Sequence, residues 1–122
     1  MTEESQPTVF SLIIDRKIPA DIVYENDAVI AFKDINPKAP VHLLVVPKNP
    51  AFRNVSELAA GDPTILAEMV RVAKELATKF CGGEYRLVFN EGESAGQTVF
   101  HVHAHVLGSG LDGGLTEGSL GD

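Results

Sequence analysis

The chain has 122 residues, with 10 basic and 17 acidic side chains and a formal net charge of −7 when histidine is neutral. This length supports a single domain around one hydrophobic core, and a composition 44% hydrophobic and 22% charged is that of an ordinary globular protein. The acidic balance, with a pI near 5.0, excludes binding of duplex nucleic acid through its phosphates, which requires a basic stripe, and no apolar run approaches the ~18 residues of a membrane span.

Met1–Gln6 is polar and contains Glu3 and Glu4, so residues 1–7 read as a loose arm without an apolar leader. The lone Cys81 has no internal partner, and together these features predict a reducing, cytoplasmic setting. Val9–Ile14 is apolar, with Phe10 and Ile13 three apart, and predicts a short helix that stops near Pro19. Ile22–Glu25 and Val29–Asp34 are β-rich runs around Asn26-Asp27 and predict an antiparallel hairpin. Asn36-Pro37 and Ala39-Pro40 then impose a loop.

His42–Val46 is almost continuously apolar and closes at Pro47, the pattern of a strand buried on both faces. Asp62-Pro63 opens the clearest helix. Its apolar stripe runs through Leu66, Met69, Val70, Ala73, Leu76, Ala77 and Phe80, and Gly82-Gly83 stops it. Tyr85–Asn90 and Val99–Leu107 read as two further strands joined by the loop Glu91–Gly96. The sum is an α+β domain over residues 8–108, with a five-stranded, mostly antiparallel sheet, one short N-terminal helix and one long one. Residues 109–122 are glycine-rich and acidic, lack aromatic and basic side chains, and read as a flexible tail.

The chemistry concentrates in His101-Val102-His103-Ala104-His105. Along extended backbone these imidazoles share one face, with Val102, Ala104 and Val106 on the other. A half-buried sheet face gains nothing from three adjacent groups that each need hydrogen-bond partners, so the row points to function. Spacing alone leaves two chemistries open: a zinc site, or nucleophilic and acid–base work on an anionic centre by imidazoles of pKa ~6.5. The small, polar loop Gly92–Thr98 can bring backbone amides and the Gln97 and Thr98 side chains to a phosphate. Asp34, at a strand end, can accept from a ribose diol. The three features together favour a nucleotide over a metal.

In these motifs, with Asn90-Glu91-Gly92, Gly96-Gln97-Thr98-Val99-Phe100, Ala31–Ile35 and Ala39–His42, the chain resembles the histidine triad (HIT) family over about Thr8–Gly108, and within it the Hint branch. The resemblance implies a purine nucleoside phosphoramidase that releases AMP through a covalent nucleotidyl-histidine, with no metal or cofactor. His103 is then the nucleophile and His105 contacts the phosphoryl group, while His101 and His42 orient the row. Asp34 and Ile35 would meet the ribose, and Asn90, Gly96, Gln97 and Thr98 the phosphate and leaving group. By the resemblance Val9, Phe10, Ile13, Ile18 and Phe32 would form the base pocket; without it they read as ordinary core. The resemblance also implies a homodimer built on the long helix and a neighbouring strand. Alternatives are hydrolysis of dinucleoside polyphosphates, nucleotidyl transfer, a non-catalytic nucleotide-binding module and a zinc-binding protein. The chain lacks the C-terminal tryptophan of many Hint enzymes, which bears on substrate selectivity.

Overall fold

The computed structural model describes residues 7–109; the loose arm and tail expected at the two ends lie almost wholly outside them. Helix α1 (Val9–Ile14) begins at a reciprocal cap, in which the Thr8 side chain accepts from the Ser11 amide and the Ser11 hydroxyl accepts from the Thr8 amide. Strands β1 (Ile22–Glu25) and β2 (Val29–Lys33) form the expected hairpin, its turn held by Asn26 Oδ1 accepting from the Ala28 and Val29 amides. Strand β3 (Val41–Pro47) is followed by helix α2 (Val55–Gly61), helix α3 (Pro63–Cys81), β4 (Arg86–Val88), one 3-10 turn (Glu93–Ala95) and β5 (Ala104–Gly108). All pairings are antiparallel, in the order β1-β2-β3-β5-β4.

Strand alternation divides the interior in two. Val29, Ala31, Leu43, Val45, Ala104 and Val106 face α3, which packs Met69, Val72, Ala73 and Leu76 against them. Ile30, Phe32, Leu44 and Val46 face the opposite way, beneath Phe10 and Ile13 of α1. A nineteen-residue helix covers the first face and a six-residue helix only part of the second. His42 shares the second face with Leu44 and Val46, and His105 lies opposite Leu44 across β3–β5, so the imidazoles sit where the sheet is least covered.

Several expectations are corrected. The stripe of α3 turns inward at Val72, whereas Val70 is 41% exposed. Helix α2 is absent from the sequence reading, although its signal is present: Asn54 accepts from the Glu57 amide, and Glu57 returns to accept from the Arg53 amide. The hairpin's second strand ends at Lys33, and the strand read as Tyr85–Asn90 shrinks to Arg86–Val88. The strand read as Val99–Leu107 begins only at Ala104. Pairing of β5 with β3 stops at Val45 opposite Ala104; farther on, Pro47 has no amide to donate, and the Val102 amide bonds to the Phe52 carbonyl instead.

Leu58 anchors α2 with no exposed surface. Leu58→Ala is expected to cost about 2–5 kcal/mol in urea unfolding; a loss below about 1 kcal/mol would make α2 peripheral to the core.

Candidate active site

The histidine segment is suspended from the end of β3 and the connection that leads to α2. The His101 ring Nε2–H donates to the Pro47 carbonyl at 2.7 Å, the Val102 amide to the Phe52 carbonyl at 3.0 Å, and Gln97 Nε2 to the Arg53 carbonyl at 2.7 Å. Gln97 is 2% exposed and its amide is fully occupied: Nε2 also donates to the Val99 carbonyl, and Oε1 accepts from the Gly92 amide. Its side chain therefore braces the loop, contrary to the expectation that it meets a phosphate. Alternation survives outside the strand. Val102 joins Ala104 and Val106 in the α3 core, while His101 and His103 face Phe10, whose ring meets theirs edge-on at 6.2 and 4.8 Å.

Partners assign a proton to each ring, since a neutral imidazole has one N–H and one lone pair. His103 Nδ1–H donates to the His101 carbonyl at 2.8 Å, which leaves the lone pair on Nε2. His101 carries its proton on Nε2; its Nδ1 is a buried polar side-chain atom without a partner. His42 Nδ1 accepts from the Lys38 amide at 2.9 Å, so its proton is on Nε2, which faces His105 Nδ1 at 3.0 Å and Asp34 Oδ2 at 3.3 Å. His105 accepts at Nδ1 and thus carries its own proton on Nε2. The row offers one lone pair at His103 and one N–H at His105, on rings whose centroids lie 5.2 Å apart.

Burial keeps these groups neutral. Desolvation lowers the pKa of His42, His101 and His103 below the ordinary imidazole value, outweighing the pull of Asp34 on His42 and His103. For His105, desolvation and then the neighbouring His103 and His42 bring it down to about 4. Asp34, His42 and His105 place three ligand-type atoms within 4.8 Å of one another. As hydrogen-bonded they do not converge on an ion, because His42 Nε2 carries the proton that the Lys38 amide keeps off Nδ1.

A cavity of about 570 Å³ opens beside the row. Of the expected site residues, Val9, Phe10, Ile13, Ile18, Phe32, Asp34, Ile35, Thr98, His103 and His105 line it. Its apolar lining comes from α1, Ile18–Ala20 and Phe32, and its polar lining includes Asp21, Lys33, Asp34, Thr98, His103 and His105. Ile35 is 88% exposed at this site. His101 and His42 do not line the cavity; His42 lines a smaller cavity of about 220 Å³ with Pro37, Pro40 and Phe80. Asn90, Gly96 and Gln97 also lie off the cavity. Gly96 has φ +100°, a conformation that favours glycine, and packs on the Asn90 side chain, so both shape the loop. Pro19, Ala20, Asp21, Lys33, Leu44 and Val99 also line the cavity, without having been expected there; Lys33, Leu44 and Val99 read from sequence only as strand residues.

A histidine row on the less covered side of a five-stranded antiparallel sheet, beside a cavity of mixed apolar and polar lining, defines the class structurally. The HIT domain model matches residues 15–110, and the chain belongs to that family. It is 49% identical over 105 residues to an uncharacterized HIT-like protein of Synechocystis sp., covering 85% of this chain and 91% of that one. It is 42% identical over 106 residues to a purine nucleoside phosphoramidase of Escherichia coli, covering 85% and 88%. The structure of a HIT family hydrolase from Clostridium thermocellum superposes with a TM-score of 0.81 at 43% identity, covering 92% of this chain and 97% of that one.

The depressed histidine pKa values have a signed consequence. Unfolded imidazoles bind protons near pH ~6.5 while the folded ones do not, so the unfolded state gains as pH falls below that value, down to about 4 for His105. The urea midpoint is therefore expected to be lower at pH 5.5 than at pH 7.5, above the range of ordinary carboxylates. A flat midpoint across that span would contradict neutral burial of the row.

Proposed function

We propose that the protein hydrolyses the phosphorus–nitrogen bond of purine nucleoside 5′-phosphoramidates, giving AMP and an amine from the adenosine substrate. The observation that carries this reading is the proton placement on His103: its Nδ1–H is spent on the His101 carbonyl, which leaves Nε2 as a neutral nucleophile in a ring lining the cavity. Similarity to a relative that bears the phosphoramidase name supports the substrate class.

In this scheme the base lies on Phe10, Ile13, Ile18 and Phe32, with the ribose at Asp34. His103 Nε2 bonds to phosphorus as the P–N bond breaks, and the amine leaves with a proton taken from solvent, while His105 Nε2–H donates a hydrogen bond to the phosphoryl group and stays neutral. Water then breaks the N–P bond of the nucleotidyl-histidine, releasing AMP and returning a proton to solvent. The carbonyl of His101 steadies the positive charge on His103 in the intermediate, and the Thr98 hydroxyl, in the cavity lining, meets a phosphoryl oxygen in this scheme. Splitting one displacement into two, each with a positioned attacking group, is the physical advantage of the route. No divalent ion takes part. The working form is a homodimer that joins through α3, which exposes Val70, and the edge strand β4, and its setting is the cytoplasm.

Adenosine 5′-phosphoramidate is expected to yield AMP, turned over faster than a diadenosine polyphosphate, and excess chelator is expected to leave the rate unchanged. His103→Ala is expected to lower kcat by about 10³-fold or more. Equal activity in that variant would overturn the covalent route, and chelator-sensitive turnover the metal-free one. Light scattering is expected to give about twice 13.1 kDa.

A further inference from the structure

His42 stands beside a carboxylate, a setting that ordinarily draws a second proton onto an imidazole. Asp34 Oδ2 is 3.3 Å from its Nε2, and the ring is buried. A second proton would have to go to Nδ1, and that nitrogen is already occupied as an acceptor by the Lys38 amide at 2.9 Å. The donor comes from a constrained loop. Lys38 lies between Pro37 and Pro40, neither of which has an amide hydrogen, and the loop is closed by the Asn36 amide on Asp34 Oδ1 and the Asp34 amide on the His42 carbonyl. The Lys38 side chain is solvent-exposed and its amide points inward. The titratable and charged groups facing His42 are Asp34, His105, Lys38 and, across the smaller cavity, Lys33.

We propose that the main-chain N–H of Lys38 is a positioning group that locks His42 as the neutral Nε2–H tautomer and so keeps His105 presenting its N–H to the cavity. The proposal rests on the phosphoramidase reading for its effect on turnover, but not for the proton placement itself. Three alternatives are distinguished by the loop. With no donor at Nδ1, His42 becomes an imidazolium paired to Asp34, which draws that carboxylate away from a ribose. With the proton moved to Nδ1, a lone pair would face Asp34, and His105 would turn its own N–H toward His42, leaving no donor at the cavity. Only the observed arrangement keeps Asp34 anionic and unpaired by a full charge while His105 remains a donor.

The tests use Lys38→Pro, which deletes the amide hydrogen, and Lys38→Ala, which deletes the side-chain charge and keeps the amide. In wild-type protein labelled with 15N-histidine, two-bond 1H–15N correlation spectra at pH 7 and pH 6 are expected to show His42 with Nδ1 unprotonated and Nε2 protonated. A protonated Nδ1 would overturn the proposal, and this measurement stands even if Lys38→Pro does not fold. In the pH profile of kcat/KM, the acidic limb of wild type and Lys38→Ala is expected below the ordinary imidazole value. Lys38→Pro should move it upward by about one pH unit, the worth of one main-chain hydrogen bond. An unmoved limb in Lys38→Pro, or an equal movement in both variants, would overturn it. A wild-type protein with the expected spectrum but no phosphoramidase turnover would remove the functional reading and leave the tautomer assignment intact.

Discussion

A buried neutral imidazole has one proton and two nitrogens, and burial makes the unoccupied nitrogen as consequential as the occupied one. In this protein each of the four rings has its proton directed by a fixed main-chain group or by a ring that is itself so fixed. The Pro47 carbonyl takes the proton of His101, the His101 carbonyl that of His103, and the Lys38 amide excludes it from one side of His42. His105 then follows from His42. Three of the four directors are main-chain groups and the fourth, the His42 ring, is itself held by the Lys38 amide, so the polarity of the row follows the backbone that supplies it.

That arrangement depends on the asymmetry of the sheet. Helix α3 covers the central strands on one face, with Met69, Val72 and Ala73 showing no exposed surface, and with Leu58 of α2 provides the cohesion of the domain. The opposite face is left to α1, whose six residues bury Phe10 and Ile13 and end at Ile14. A longer helix here would fill the cavity; no helix would wet the histidines and restore their ordinary pKa values. Phe10 serves both demands, packing on Phe32 at 5.6 Å while closing over His101 and His103.

The hairpin, the central strand and the long helix were legible because each is specified locally: an Asn-Asp turn, an unbroken apolar run, and a cap followed by proline. The histidine alternation was legible for the same reason, since period two belongs to extended backbone whether or not it is paired. What sequence patterning missed depends on partners distant in the chain. It extended a strand through His101 and His103 because it could not see that Pro47 would end the pairing. It gave Gln97 to a ligand because the carbonyls that absorb its amide come from Arg53 and Val99, one of them 44 positions away. Helix α2 was overlooked despite its Asn54 and Glu57 cap, since its run carries one wholly buried residue, Leu58, and no apolar stripe.

The suspension of the histidine segment has an evolutionary corollary. Pro47, Phe52 and Arg53 all contribute carbonyl oxygens, which every amino acid possesses, so the exposed Arg53 position is open to replacement without loss of the support it gives. Length is another matter. One residue inserted or deleted between Pro47 and Phe52 would displace two of the three acceptors, the Phe52 and Arg53 carbonyls, relative to the sheet, and with them the backbone that carries His101 and His103. The connection from β3 to α2 is thus free to drift in composition while its residue count is held, the reverse of the usual behaviour of a surface loop.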